Sequence, residues 1–133
     1  MIVDVQDIKD KLHMLGYTVT ADDEVVIRFA ISKILRDIKN FCQRSDIPNV
    51  LYYVVVDKVA GEFLKAKKAS GQLEGFSVDL NAVMLSKWSQ GDTSLSYAVD
   101  KTKSKEERLD ALIEALTDID KKLLPFRRFR LWI

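Results

Sequence analysis

From Thr20 to Phe41 apolar residues recur every three or four positions without a break in the period, and a run of that length and spacing folds as one long amphipathic helix. Val26, Phe29, Ala30, Ile34, Ile38 and Phe41 mark its stripe, and Ile27, Ile31 and Leu35 widen it. A stripe this broad predicts contacts on more than one side. Thr20 supplies the cap, and Asp22, Asp23 and Glu24 put negative charge into the first turn, where the helix dipole favours it.

Three further helices are expected around this one. Asp4 opens a short helix that runs to Leu15, with Val5, Ile8, Leu12 and Leu15 on one face and Gly16 as its stop. For the third helix Asp46 is the expected cap and Pro48 falls in the first turn, where its missing N–H costs little. The run "LYYVVV" is β-prone, but Leu51, Val55, Val59, Phe63 and Ala66 keep a helical period. Lys65, Lys67 and Lys68 suit the C-terminal turn, and Gly71 ends it. "SKEE" from Ser104 to Glu107 has the form of a capping box, and Leu109, Leu112, Ile113, Leu116, Ile119 and Leu123 mark a fourth helix that Pro125 closes.

Between the third and fourth helices the period changes to two. Val83 and Leu85 alternate with Met84 and Ser86, and beyond a Gln90-Gly91-Asp92 turn Leu95, Tyr97 and Val99 alternate with small residues, which predicts a β-hairpin over about 80–100. The expected fold class is mainly α: a four-helix bundle-like single domain over 1–133, with an inserted β-hairpin and an extended C-terminal tail from 124 to 133. The hairpin serves either to cover the core or, through its polar "SQGDTS" tip, as a protruding contact loop at Gln90, Gly91, Asp92 and Thr93.

Composition narrows the chemistry. At 133 residues the chain holds enough apolar surface for one core. Its 21 Lys+Arg against 20 Asp+Glu, a net +1, argue against wholesale nucleic-acid affinity. The longest apolar run, "VLYYVVV", stops at Asp57, well short of a membrane span, and the N-terminus lacks the pattern of a secretion signal, so synthesis in the cytoplasm and no membrane partner are expected. Cys42 and His13 are single, which leaves no internal disulfide and no multi-cysteine metal site; Cys42 lies in an apolar helical pattern and is expected to pack. The five glycines form no phosphate loop or dinucleotide fingerprint. No catalytic, metal-binding or cofactor-binding residue is expected, and no enzyme.

Two charged features remain. Glu106, Asp110, Glu114 and Asp118 stand four apart on the fourth helix, a spacing that costs about 0.2–0.5 kcal/mol per like-charged pair. They form either a solvated face, a surface for a basic partner, or the lining of a passage that repels DNA. In the tail, Phe126, Arg127, Arg128, Phe129, Arg130 and Trp132 interleave bulky apolar residues with arginine, a composition suited to partner docking, to packing on the same domain, or to nucleic acid.

Taken in order, "LHMLG", "DIKNFCQRSDIP", "VVVDKVAGEFL", "GDTSLSY" and "FRRFRLW" resemble the head-tail connector (adaptor, or head completion) proteins of tailed phages and prophages. The resemblance covers most of the chain and rests on the succession of pieces, none of which is a catalytic signature. It implies a structural virion subunit, made in the host bacterial cytoplasm and placed in the neck between head and tail. There it forms a homo-oligomeric ring beneath the portal protein, extends the DNA channel and offers a platform to the next neck or tail protein. Genomic DNA passes without sequence-specific binding. By the same resemblance, Ile27, Ile31 and Leu35 are shared with a neighbouring subunit, the hairpin is a projecting arm, the arginine-aromatic tail docks, and the acidic row faces the channel. The segment "SGQLEGFSVDLNAV" departs from the pattern, which leaves the start of the hairpin open. The competing reading is a small helical regulator that binds DNA through its basic C-terminus; no helix shows the concentrated positive charge of a recognition helix, which counts against it.

Overall fold

The computed structural model describes residues 1–73 and 104–128. Helix α1 spans Val5–Met14, α2 Ala21–Cys42, α3 Tyr52–Ala69, α4 Lys105–Thr117 and the short α5 Asp120–Leu123, with 3₁₀ turns at Asn49–Leu51 and Leu124–Phe126. The protein is mainly helical and bundle-like, and no strand occurs among the described residues. The expected hairpin over 80–100 lies outside them.

The helix ends are set by local chemistry. The Asp4 N–H donates to Asp7 Oδ2 at 2.9 Å, and the Thr20 N–H to Asp23 Oδ2 at 3.1 Å, so a carboxylate three residues on satisfies each cap backbone. Gly16 (φ +95°) and Gly71 (φ +75°) end α1 and α3 in the left-handed conformation. In both, the following N–H reaches back over a full turn, Tyr17 to the Leu12 carbonyl at 2.9 Å and Gln72 to the Lys67 carbonyl at 3.1 Å. Ser104 Oγ accepts from the Glu107 N–H at 3.1 Å to open α4. α2 ends the same left-handed way but on Gln43 (φ +53°), where a side chain is strained by about 1 kcal/mol.

Around these ends the helices assemble on α3. Val55, Val56, Asp57, Val59, Ala60, Gly61, Phe63 and Leu64 are all buried, which covers most of the circumference of α3 and makes it the central helix. Contacts fix the directions. Lys67 of α3 meets Asp23 of α2, so these two run antiparallel. Lys58 meets the Thr117 carbonyl while Lys68 meets Asp110, so α3 and α4 are antiparallel as well. Lys11 of α1 pairs with Asp57 at 3.1 Å, both largely buried. Gly61 is where α4 comes closest: a Cβ there would lie 2.7 Å from Leu116 Cβ and 2.8 Å from Thr117 Cγ2.

Four expectations are corrected. The broad stripe assigned to α2 belongs to α3: on α2 the buried row is Asp23, Ile27, Ile31, Ile34, Ile38 and Cys42, while Val25, Val26 and Phe29 stand exposed, Phe29 by 75%. Ala66, placed on the stripe of α3, is exposed. Asp46 does not cap α3; its carboxylate takes the Ile47 N–H at 2.8 Å, and a 3₁₀ turn after Pro48 leads into a helix that begins only at Tyr52. The fourth helix is not continuous to Leu123. Asp118 leaves the helical region (φ −83°, ψ 82°) once Lys58 Nζ has taken the Thr117 carbonyl at 2.9 Å, and α5 restarts after Ile119. Ile119 and Leu123 stay buried across the break.

Gly61→Ala is therefore expected to lower stability by about 1–3 kcal/mol through overpacking against α4. Gln43→Gly is expected to raise it by about 0.5–1 kcal/mol by relieving the left-handed residue. Urea unfolding of the two variants, read as opposite shifts of midpoint at constant m-value, checks both.

Candidate functional site

The most organised polar cluster joins the α1–α2 loop, the first turn of α2 and the last turns of α3. Asp23 is 1% exposed and sits on the buried row of α2, in register with Ile27 and Ile31. Lys67 Nζ meets its Oδ1 at 2.5 Å, and the Tyr17 hydroxyl donates to its Oδ2 at 2.8 Å alongside the Thr20 N–H. Lys67 also lies over the Phe63 ring at 5.7 Å and donates to Gln72 Oε1 at 2.6 Å, while Tyr17 packs edge-on to Phe63 with centroids 5.5 Å apart. Burial alone would push the Asp23 carboxyl up; the Lys67 ammonium and the Thr20 and Tyr17 donors outweigh it and hold it at about 2. Burial, then the neighbouring carboxylate, pushes the Tyr17 hydroxyl up to about 12. The cluster's donors and acceptors point at one another, and its chemistry is that of a clamp between helix ends.

The residues singled out in the sequence are placed as follows. Ile27 is 0% exposed and Ile31 is also buried, so both belong to the chain's own core and are not available to a neighbouring subunit; Leu35 is half-buried and borders a surface cleft. Glu106, Asp110 and Glu114 are exposed on α4, with Asp110 paired to Lys68, and Asp118 stands beyond the helix. Part of the like-charge cost is thus offset by a cation from α3. The first tail residues fold onto the domain: the Arg128 N–H donates to the Cys42 carbonyl at 2.8 Å, Arg44 Nε to the Phe126 carbonyl at 2.6 Å, and the Arg127 guanidinium lies 5.3 Å from the centre of the Phe41 ring. Phe129, Arg130 and Trp132, like Gln90, Gly91, Asp92 and Thr93, lie outside the described residues.

Cys42 is buried with its sulfur 4.0 Å from the Leu123 carbonyl, and burial pushes its thiol up against the pull of Arg44 and Arg127. His13 is exposed, and among the described residues no group of three metal-ligating side chains comes together. No helix among them is long and apolar enough to cross a membrane. Comparison of the chain with protein-family models, with curated proteins and with solved structures finds no match.

The sequence reading missed the Asp23–Lys67 pair because each residue satisfied a simpler rule, an acid at a helix start and a base at a helix end. The available signal was register: Asp23, Ile27 and Ile31 share one face.

Because Asp23 has its carboxyl held at about 2 against an ordinary 3.8, its ionised form stabilises the folded chain above pH 4. That contribution, on the order of 2 kcal/mol, is expected to disappear as pH falls from about 4 to 2, and Asp23→Asn is expected to flatten that limb of a stability–pH curve. Lys67→Met alone is expected to cost more than Asp23→Asn with Lys67→Met together, since the single change strands a buried charge. Urea midpoints across pH, and a double-mutant cycle at neutral pH, measure the two effects.

Proposed function

We propose that the chain is a structural subunit of a phage neck, a head-tail connector that assembles as a ring beneath the portal, prolongs the DNA channel and seats the next neck or tail protein. The observation that carries this reading is the outer face of α2. The described helices close a core, yet Val25, Val26 and Phe29 stand exposed within two turns of α2, the longest of them, by 53%, 44% and 75%. An exposed apolar cluster is the kind of surface on which protein contacts form. Cyclic assembly needs such a patch, because a closed ring joins two different surfaces of the same chain.

In this reading Val25 and Phe29, with Leu35 further along the same helix, take the neighbour-facing role that Ile27 and Ile31 cannot. The exposed Glu106 and Glu114 face the channel, where repulsion keeps DNA from adhering. The segment over 80–100 is a hairpin arm that reaches a neighbour or the lumen through Gln90–Thr93. The tail docks through Phe129, Arg130 and Trp132, beyond the point where Arg128 is tied to the domain. Support comes from the order of the sequence pieces shared with head-tail connectors and from a face of α2 that no described helix covers.

Light-scattering mass after size exclusion, with and without purified portal rings, tests the proposal, followed by negative-stain imaging of any co-eluting peak. A ring stacked on the portal is expected, and Phe29→Glu is expected to abolish it while leaving the helical spectrum unchanged. A chain that stays monomeric and ignores the portal overturns the reading.

A further inference from the structure

Three stretches of chain deliver cations to one place at the C-terminal end of α2. Arg36 and Lys39 follow Ser32 on its outer face, Arg44 comes just after the left-handed Gln43, and the bond from the Arg128 N–H to the Cys42 carbonyl, 2.8 Å, brings in the start of the tail. Arg36, Lys39 and Arg44, together with Ser32, Leu35 and Asn40, line an open cleft of about 490 Å³ with no carboxylate in its wall. Arg44 is shared with a second cleft of about 290 Å³, bordered by Ser45, Asp46, Pro48 and Arg128. Its one acid, Asp46, turns an oxygen to the Ile47 N–H at 2.8 Å.

Several cations elsewhere are paired, and what sets this cluster apart is that its cations share two adjoining clefts. Lys9, Lys11, Arg28, Lys58, Lys67 and Lys68 each meet a carboxylate. Among the described residues Arg36, Lys39, Arg44 and Arg128 form no ion pair with one. The negative end of the α2 dipole gives Lys39 a reason to be there and leaves Arg36 and Arg128 without one. No single helix supplies the charge: the cations are separated in sequence, and only the fold brings them together.

We propose that this cationic groove binds the phosphodiester backbone of nucleic acid without regard to base sequence. Two adjoining clefts joined through Arg44 suit an elongated, repeating anion better than a single one. Guanidinium groups grip phosphate oxygens in a fork, and the bond from Arg44 Nε to the Phe126 carbonyl, 2.6 Å, positions one of those forks in advance. Ser32, Asn40 and Ser45 add neutral groups of the kind that bond to phosphate and sugar. The inference goes beyond the ring, which asks only that DNA pass, and it holds for a single chain in solution.

The test is fluorescence anisotropy of a labelled duplex titrated with the full chain over a series of salt concentrations. Two duplexes of unrelated sequence are expected to bind equally, with log K against log salt falling at a slope of about −3 to −4 for four neutralised phosphates. Arg36→Glu with Lys39→Glu is expected to weaken binding by more than about tenfold and to reduce the slope by about 2, whereas Lys65→Glu on the exposed face of α3 leaves both nearly unchanged. Circular dichroism and a urea midpoint confirm that each variant is folded. Absence of binding at low salt, or unchanged binding by the double variant, overturns the proposal. So does saturation by inorganic phosphate with no gain for the duplex, which assigns the groove to a small anion. Loss of self-association or portal attachment by the double variant, with duplex binding intact, also overturns it and gives the groove to an acidic protein surface. The ring reading is judged separately, by whether the parent chain stacks on the portal.

Discussion

A carboxylate sealed from water must have its charge answered, and the burial of Asp23 on the core-facing row of α2 imposes that requirement on the rest of the fold. The answer comes from Lys67, more than forty residues on, and from Tyr17, six residues before. Each partner sits where a helix stops: Tyr17 directly after Gly16 and Lys67 in the last turn of α3 before Gly71. The left-handed glycines, the length of α1, and the register of α2 against α3 must therefore agree with one another. A one-residue slip of α2 would carry Asp23 off the buried row and take Ile27, Ile31, Ile34 and Ile38 with it. A pair of this kind adds little net stability compared with an apolar replacement, and its larger effect is to select one alignment of the three helices from the alternatives.

Once that alignment holds, α3 becomes the shared wall. α1 and α2 lie against one part of it and α4 against another, where Gly61 lets the backbones approach closely. Lys58 pairs with Glu62 on its own helix at 3.0 Å and reaches across to cap the end of α4 through the Thr117 carbonyl. Among the described residues the outer face of α2 is left over, apolar near its start and basic near its end. The proposed neighbour contact at Val25 and Phe29 falls on the first half of this helix and the proposed phosphate groove on the second, and Leu35 belongs to both.

How much of this was legible depends on how local the determining physics is. Gly16, Gly71, Asp4, Thr20 and Ser104 were readable as helix ends, because a glycine forced left-handed or a cap oxygen acts within four residues. The leucine row of α4 was readable for the same reason, its period being the helix's own. The identity of the central helix was not. α2 carries more large apolar residues, and its excess at Val25, Val26 and Phe29 remains outside, whereas α3 is enclosed partly through alanine and glycine, which a hydrophobic count overlooks. The end of α4 at Asp118 carried no glycine or proline to announce it, since the carbonyl that ends the helix is taken by a lysine on another one. The cation groove was hidden too, because Arg36 and Arg128 come to adjoining clefts, joined through Arg44, only after folding.

The order of elements along the chain gives the antiparallel seating of α4 on α3 a consequence in time. α1, α2 and α3, with Asp23, Tyr17 and Lys67, are complete by residue 73, and α4 opens only at Ser104, roughly thirty residues later. At ribosomal speeds of about 5–20 residues per second, roughly 2–6 seconds separate the two. Through that interval the flank of α3 around Gly61 waits uncovered on a nascent chain whose first three helices can already be locked together. The last helix then arrives at a surface already formed, and the close approach at Gly61 is made last.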